Sequence, residues 1–363
     1  MKYPFNAVVI AAAILLGSGA TAAPAGQEKK VQGAGGRKPV VVSAKKAAPA
    51  TQKVAVKTQP QARAPQKLAG KAAPQVAKSA SKSGSKSALA LAEAPHKPIR
   101  RISASDFETG RLAVGSASAL VIDQSTGHPL FEKSPDAVLP IASISKLMTS
   151  MVVLDAKLDM QEVISIGEAD VDTLKGTRSR LPVGTTMTRE TAMLLALMSS
   201  ENRAANALGR HYPGGLPAFV AAMNRKAQSL GMYHTRFEEP TGLSSNNVST
   251  AHDLARMVTA AARYPEIRTF STTAEAKVEL NGRIRDFGNT NALVRNERWD
   301  IGVSKTGYIS EAGRCLVMQA RVADKPVVIV LLDSVGKMTR VGDAIRIKRW
   351  MESASLGSGS QRS

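Results

Sequence analysis

The apolar residues recur with the two periods of regular secondary structure from about residue 107 onward. Near the start of this region, apolar runs separated by Gln124-Ser-Thr-Gly127 predict two strands joined by a turn, over 118–123 and 128–133. Apolar strand-like runs return only in the last third of the chain. They predict strands at 276–280, 302–308, 315–322 and 326–332.

Helical periodicity occupies the stretch between these two groups of strands. Apolar positions spaced three and four apart predict helices over 147–154, 188–208 (one or two helices) and 216–230, and an amphipathic one over 340–351. Another helix should start after Thr250, because Thr250-Ala-His-Asp253 has the form of a capping box. Strands at both ends with helices between them predict an α+β fold, in which helices are inserted into one sheet.

The first 22 residues have the pattern of an export signal. Lys2 provides a positive start, an apolar stretch covers 7–16, and Ala20-Thr21-Ala22 is a small-residue cleavage pattern. The apolar stretch is much shorter than the roughly 20 residues that cross a bilayer. We therefore expect cleavage after Ala22 and secretion into the periplasm. Cys315 is the only cysteine, so no internal disulfide can form there.

Most of the net charge of +20 belongs to a low-complexity segment. Residues 24–101 contain seventeen Lys or Arg but only Glu28 and Glu93 as acidic residues, a net charge of +15. Because this composition offers few core-forming side chains, we expect 23–105 to be a disordered linker before a domain over 106–352 and a flexible tail over 353–363. The linker is either a solvated spacer or a tether to a polyanionic surface. Export argues against nucleic acid as its partner.

The first candidate motif is Ser143-x-x-Lys146. The same spacing starts at Ser43, Ser79, Ser83 and Ser334, so the spacing alone is uninformative. Ser143, however, lies at the start of an apolar helix, where positions i and i+3 share a face. A serine hydroxyl needs a base to become a nucleophile, and a lysine whose pKa is lowered by burial or a nearby cation can serve. Lys146 is placed for that role, whereas Ser145 should point away.

Two further motifs complete a set. Ser200-Glu-Asn202 falls in a turn between helical segments, and Lys305-Thr306-Gly307 falls in a predicted strand. On a strand edge, Lys305 could anchor a substrate carboxylate, Gly307 could let the substrate backbone approach, and the amide of Tyr308 could donate to an oxyanion. In this order the three motifs match the set found in penicillin-binding proteins and class A β-lactamases.

Other chemistries lack their motifs. The sequence has no Gly-x-Ser-x-Gly, His-Glu-x-x-His, Cys-x-x-Cys or Walker motif, and its five histidines are scattered. No metal or other cofactor is therefore predicted. Cys315 lies in an apolar run and is expected to be a small core residue. The few aromatic residues form no ladder for nucleic acid.

A resemblance to a known family follows from the residues around these motifs. Pro140-Ile-Ala-Ser-Ile-Ser-Lys-Leu-Met-Thr149 resembles the low-molecular-mass serine D-alanyl-D-alanine peptidases, a group of penicillin-binding proteins. Met198-Ser-Ser-Glu-Asn-Arg-Ala-Ala205 and His211-Tyr-Pro-Gly-Gly215 resemble their endopeptidase branch, the penicillin-binding protein 7-like enzymes. Pro240-Thr-Gly-Leu243 and the stretch 305–313 fit as well. The resemblance covers about 107–351 and implies a transpeptidase/β-lactamase-like antiparallel sheet flanked by helices.

The resemblance also implies roles for individual residues. Ser143 would be the nucleophile and Lys146 its base. Ser200 would relay a proton to the leaving amine, and Asn202 would orient the substrate. Lys305 would bind carboxylate and help to keep Lys146 neutral, while the amides of Ser143 and Tyr308 would form the oxyanion hole. The implied substrates are peptidoglycan peptides, the implied activity is cleavage of D-alanyl cross-links, and β-lactams are the implied inhibitors.

Carboxypeptidase members of this family usually continue into a β-rich domain and a membrane-anchoring helix. This sequence instead ends in a Gly/Ser-containing tail after Met351, so we expect a soluble enzyme without a stable membrane anchor. Three alternatives to the endopeptidase stay open: a D-alanyl-D-alanine carboxypeptidase, a class A-like β-lactamase that uses Glu238 or Glu239 before Pro240, and a non-catalytic wall-binding protein.

Overall fold

The computed structural model describes residues 112–359, so the predicted signal peptide (1–22) and basic linker (23–105) lie outside the described residues. The helices in this part of the chain are α1 (Ser145–Asp155), α2 (Arg189–Met198), α3 (Asn202–Arg210), α4 (Gly215–Ser229), α5 (Ala251–Ala261), α6 (Pro265–Thr272) and α7 (Thr339–Gly359). Short 3₁₀ turns cover Ala142–Ile144, Glu168–Asp170 and Ala292–Arg295.

Within residues 112–359, the strands form one large antiparallel sheet and three small pairs. They are β1 (Ser118–Asp123), β2 (Pro129–Lys133), β3 (Leu139–Pro140), β4 (Val163–Ser165), β5 (Thr186–Thr188), β6 (Val248–Ser249), β7 (Glu275–Leu280), β8 (Arg283–Gly288), β9 (Asp300–Ile309), β10 (Gly313–Val322) and β11 (Lys325–Ser334). The large sheet has the order β2-β1-β11-β10-β9. Strands from the two ends of the domain therefore meet at its centre, where Val121 pairs with Ile329.

Both faces of the large sheet are covered, which explains why its central strands are almost continuously apolar. In β11, Val328, Val330 and Leu332 point into the larger core cluster, which also contains the buried residues of α1–α6. The alternate residues of β11 point into a second cluster. Ala344, Ile347 and Met351 of α7 belong to that second cluster, so α7 covers the opposite face of the sheet.

The predicted α+β architecture with inserted helices is confirmed, with one correction to the sheet. The run 276–280, predicted as part of the single sheet, instead pairs with β8 in a separate hairpin. Asn281 and Gly282 connect the two strands, and both have positive φ. This is the conformation that an Asn-Gly turn adopts in a tight hairpin. The hairpin buries Ala276, Val278 and Leu280 on one face. Helix α6, absent from the prediction, lies between α5 and this hairpin.

Helix α5 starts at the predicted position, but its capping box is only half formed. The Thr250 hydroxyl accepts a hydrogen bond from the Asp253 amide, as expected of an N-cap. The Asp253 carboxylate turns instead to the loop after α4. It accepts hydrogen bonds from the His234 amide at 2.8 Å and the Thr235 hydroxyl at 2.9 Å. The cap therefore also ties α5 to that loop.

The C-terminal helix is longer than the apolar periodicity indicates. Helix α7 continues through residues 353–359, a segment predicted as flexible tail. Once Met351 anchors the helix in the core, each further residue adds a hydrogen bond without a new nucleation step. Among residues 112–359, no helix combines the length and hydrophobicity needed to cross a membrane.

Candidate active site

Ser143 lies at a bend between β3 and the buried helix α1. It belongs to the 3₁₀ turn Ala142–Ile144, and Ala142 enters this turn with φ of 47°, in the left-handed region. Gly242 packs directly against this bend. A Cβ at Gly242 would come within 1.9 Å of the Ala142 carbonyl oxygen, so the close contact requires glycine. Ser145 points away from Ser143, because its hydroxyl donates to the Ala142 carbonyl oxygen at 2.9 Å.

The side-chain nitrogen of Lys146 lies at the centre of the candidate site. This nitrogen, Nζ, is 2.8 Å from the Ser143 hydroxyl oxygen, 2.8 Å from the Asn202 side-chain oxygen and 2.6 Å from the Thr241 carbonyl oxygen. The last two oxygens can only accept hydrogen bonds. A neutral Lys146 would donate its two hydrogens to them, which leaves the nitrogen lone pair for the Ser143 hydroxyl. This is the arrangement that a general base requires.

The environment of Lys146 favours that neutral form. Lys146 is fully buried, and its burial lowers the pKa of the side chain to about 7, against the opposing effect of the Glu239 and Glu201 charges. Since Lys146 follows Ser143 by three residues, the turn and the first residues of α1 bring the two side chains together. The helix α1 therefore supplies the base, and the burial of this helix lowers the pKa of the base.

The segment before α3 brings Ser200 and Asn202 to the other side of Lys146. Ser200 has φ of 61°, in the left-handed region, and accepts a hydrogen bond from Lys305 Nζ at 2.9 Å. Both ends of the Asn202 amide have protein partners. Its oxygen accepts from Lys146, and its nitrogen donates to the Thr177 hydroxyl at 3.0 Å. In this structure Asn202 therefore positions Lys146.

The edge strand β9 carries Lys305, Thr306, Gly307 and Tyr308 beside the same cluster. Lys305 is buried, and its Nζ also donates to the Thr306 carbonyl oxygen at 3.0 Å. Burial lowers the pKa of Lys305 well below its ordinary value, and the charges of Lys146 and Arg340 lower it further. The Thr306 hydroxyl donates to the Thr290 hydroxyl at 2.7 Å, while the Tyr308 side chain is exposed.

Gly307 allows β9 to approach the turn that contains Ser143. A Cβ at Gly307 would lie 2.9 Å from the Ile141 carbonyl oxygen and 3.1 Å from the Ser143 amide nitrogen. Arg340, at the start of α7, holds the other side of this strand by donating to the Gly307 carbonyl oxygen at 2.8 Å. The amides of Ser143 and Tyr308 thus belong to two segments that pack closely together.

The Thr241 carbonyl oxygen is fixed by the loop that contains Glu239. The Glu239 carboxylate accepts hydrogen bonds from the amides of Thr241 and Gly242, both at 2.6 Å, and from the Thr241 hydroxyl at 2.5 Å. The Asn247 side chain links this loop to α1, because it donates to the Ser145 hydroxyl oxygen at 3.0 Å and to the Glu239 carbonyl oxygen at 2.8 Å. The Glu239 carboxylate therefore fixes the conformation of the loop by binding the backbone amides of the loop.

The structure brings the three sequence motifs together around one cluster. Direct hydrogen bonds join Ser143 to Lys146, Lys146 to Asn202, and Lys305 to Ser200. Sequence reasoning missed three contributors: the carbonyl group of Thr241, the close approach of Gly242, and Arg340. Thr241 and Gly242 had a visible signal, the Pro-Thr-Gly-Leu stretch, whereas Arg340 had none, because its contacts with β9 and β10 depend on residues distant in the chain.

Neither a metal site nor a reactive thiol accompanies this cluster in the described part of the chain. Within residues 112–359, no group of His, Cys, Asp and Glu side chains could hold a metal ion. Cys315 lies buried in β10, as predicted, and burial raises the pKa of its thiol to about 11. A thiol with so high a pKa is a poor nucleophile at neutral pH.

Comparison with known proteins gives concordant similarities. A family model described as D-alanyl-D-alanine carboxypeptidase matches residues 105–336. The D-alanyl-D-alanine endopeptidase of Pseudomonas aeruginosa is 50% identical over 245 residues, which are 67% of this chain and 79% of that protein. The D-alanyl-D-alanine endopeptidase of Escherichia coli is 46% identical over 245 residues, again 67% of this chain and 79% of that protein. The crystal structure of the Streptomyces K15 DD-transpeptidase superposes with a TM-score of 0.62 at 26% identity, over 66% of this chain and 98% of that one.

Proposed function

Since this chain belongs to the D-alanyl-D-alanine carboxypeptidase family, we propose that it hydrolyses D-alanyl cross-links of peptidoglycan through an acyl-enzyme on Ser143 and that β-lactams inhibit it. The observation that carries the proposal is the position of Lys146 Nζ, 2.8 Å from the Ser143 hydroxyl oxygen in a buried site. Its other two partners are oxygens that cannot donate a proton.

In the acylation step, neutral Lys146 removes the Ser143 proton as the hydroxyl oxygen attacks the D-alanyl carbonyl carbon. The carbonyl electron pair moves onto its oxygen, and the amides of Ser143 and Tyr308 stabilise the resulting oxyanion. The close packing at Gly307 supports this pairing of amides. Arg340 would hold β9 in place without touching the substrate.

Collapse of the tetrahedral intermediate breaks the peptide bond and leaves an ester on Ser143. The departing amine takes a proton, which Ser200 is proposed to deliver, and the proton that Lys146 removed from Ser143 then passes to Ser200 and leaves Lys146 neutral again. Lys305 donates to the Ser200 oxygen, which leaves the Ser200 hydroxyl proton free for transfer. A substrate carboxylate near Lys305 would raise the pKa of that lysine and stabilise its charged form. Water then hydrolyses the ester and restores the free enzyme.

Endopeptidase activity is favoured over carboxypeptidase activity by the two named endopeptidases at 50% and 46% identity. A purely wall-binding protein would not need a buried lysine beside a serine hydroxyl. A class A-like β-lactamase would need a carboxylate free to activate water. Glu239 is occupied by the amides of its own loop, and Glu238 accepts hydrogen bonds from the Ser244 hydroxyl and the Asn246 side chain, both at 3.0 Å.

The cellular setting belongs to the same proposal. Export through the signal 1–22 would place the enzyme in the periplasm, where its substrate is found. The basic segment 24–101 would then act as an electrostatic tether, because its net charge of +15 faces a wall that presents carboxylates. The alternative is that the segment is only a spacer. Binding to the wall would depend on salt concentration for a tether and would not for a spacer.

Three assays on the purified full chain test the proposed activity. A labelled penicillin should form a stable adduct whose tryptic peptide carries the label on Ser143, with Ser145→Ala as the control that keeps the adduct. Cross-linked peptidoglycan should release monomeric fragments, and Ser143→Ala should release none. Rapid turnover of a chromogenic cephalosporin would identify a β-lactamase, and an adduct on Ser145 would refute the assignment of the nucleophile.

A further inference from the structure

A cavity of about 390 Å³ lies directly beside the catalytic cluster. One of its walls is the segment from Ser199 to Asn202, and the facing wall is formed by residues 178–180. Asn202 reaches from this cavity to Lys146, which in turn contacts Ser143. A peptide bound with its D-alanyl carbonyl at Ser143 would therefore have room to extend into this cavity.

The facing wall belongs to a loop, 172–180, that is held in place on both sides of Arg178. On the N-terminal side, the Asp172 carboxylate accepts hydrogen bonds from the Thr177 amide at 2.7 Å and its hydroxyl at 2.6 Å. The Thr177 hydroxyl oxygen accepts from Asn202. On the C-terminal side, Ser179 donates to the Glu201 carboxylate at 2.6 Å. The residues before and after Arg178 are thus both bound to the Ser200-Glu-Asn202 segment.

Two of the three basic residues of this loop have acidic partners. Lys175 pairs with Glu311 of the turn between β9 and β10, and Arg180 pairs with Glu201 at 2.8 Å. Arg178 is exposed, lines the cavity, and makes no side-chain hydrogen bond or ion pair with any residue of the described part of the chain. An ordered loop therefore presents one uncompensated guanidinium group to the cavity beside the nucleophile.

We propose that Arg178 is a specificity-determining residue whose guanidinium group binds a free carboxylate of the peptidoglycan peptide in this cavity. The inference rests on the proposed function, since it concerns the substrate of the same site. A guanidinium group presents a planar fork of donors that matches a carboxylate, and a lysine offers only a point charge. Anchored neighbours lower the entropic cost of holding that fork in place.

The test compares soluble cross-linked peptides that differ only in whether one free carboxylate is amidated, with each carboxylate amidated in turn. The kinetic constants kcat and KM are measured for the full-length wild type, for Arg178→Gln and for Arg178→Lys. For one peptide pair, amidation should raise the wild-type KM and lower kcat/KM about tenfold. Arg178→Gln should show the same loss on the free acid and almost no further loss on the amide, and Arg178→Lys should fall between.

The matched control is Arg225→Gln, because Arg225 is exposed on α4 and lies outside the cavity wall. It should retain the wild-type ratio of kcat/KM between acid and amide. A penicillin adduct on Ser143 shows that each variant is folded. Equal ratios for wild type and Arg178→Gln across the whole peptide series would overturn the inference and leave the proposed function standing. Failure of the wild type to cleave any peptide would overturn the proposed function, and the inference with it.

Discussion

At the scale of single residues, the chemistry depends on the protonation state of Lys146. Burial lowers its pKa to about 7, so below that pH the side chain gains a proton and above it the side chain is a neutral base. Three oxygens surround Nζ, and only the Ser143 hydroxyl can donate a proton to it. Reactivity of Ser143 should therefore follow the deprotonation of Lys146.

This argument predicts the pH dependence of acylation. The second-order rate constant for penicillin should rise about tenfold per pH unit below pH 7 and reach a plateau above it, as measured by mass spectrometry of quenched samples. Lys146→Arg should acylate about 1000-fold more slowly than the wild type does on its plateau, and its rate should not rise with pH, because a guanidinium group does not deprotonate in proteins. A flat pH profile for the wild type between pH 5 and 9 would contradict the assignment of Lys146 as the base.

Ser200 gives a second prediction at this scale, because it combines a proposed role with a strained backbone. Its φ of 61° is costly for a residue with a Cβ and free of that cost for glycine. Ser200→Ala and Ser200→Gly should both lose the hydroxyl and slow hydrolysis of cross-links. Urea denaturation should show Ser200→Gly to be the more stable variant by about 1 kcal/mol. A more stable alanine variant would mean that the backbone at this position is not left-handed.

At the scale of secondary-structure elements, the contact between β9 and the 3₁₀ turn sets the distance between the two proposed oxyanion amides. Gly307→Ala should push the strand from the turn, because its Cβ would meet the Ile141 carbonyl oxygen at 2.9 Å and Ala142 at 3.0 Å. We expect penicillin acylation to fall about 100-fold, the effect of misplacing a catalytic group by roughly an ångström. The control is Gly288→Ala, where a Cβ meets nothing within 4 Å. Equal rates in the two variants would show that this contact does not matter.

Most elements could be predicted from the sequence because their patterns are local. Strand β1 was predicted at its observed bounds, and the helices α1–α5 were expected near their observed positions. The hairpin partner β8 was missed, although Asn281-Gly282 after a strand is a strong hairpin signal. Helix α6 was also missed. Its buried residues are Ile267, Phe270 and Ser271, too few for a clear periodicity.

At the scale of the whole molecule, the charge of the basic segment 24–101 leads to the last prediction. If the segment is a tether, its deletion should leave penicillin acylation and the Tm of the domain nearly unchanged and should weaken binding to intact sacculi. The deficit should shrink as salt rises from about 50 to 300 mM, because screening shortens the range of electrostatic attraction. A variant with every Lys and Arg of the segment replaced by Gln separates charge from length. If the full-length protein, the deletion variant and the Gln variant bind sacculi equally at low salt, the segment is only a spacer and the tether proposal is wrong.

The amino-acid sequence by itself determined what depends on neighbours in the chain. Alternating and helical periodicities determined the α+β class, because burial of one face of an element imposes its period on the sequence. The Ser143-x-x-Lys146 spacing placed two groups on one helical face for the same reason. The order of the three motifs and the resemblance to a peptidase family were visible in the sequence as well.

Only the tertiary structure decided how those groups are arranged. Asn202 and Thr241 reach Lys146 from 56 and 95 residues away in the chain, and Lys305 reaches Ser200 across 105 residues. Such contacts depend on how helices and sheet pack, which no local pattern encodes. The lowered pKa of Lys146 and the uncompensated charge of Arg178 arise in the same way, because burial and the absence of a partner are properties of the surroundings that folding brings together.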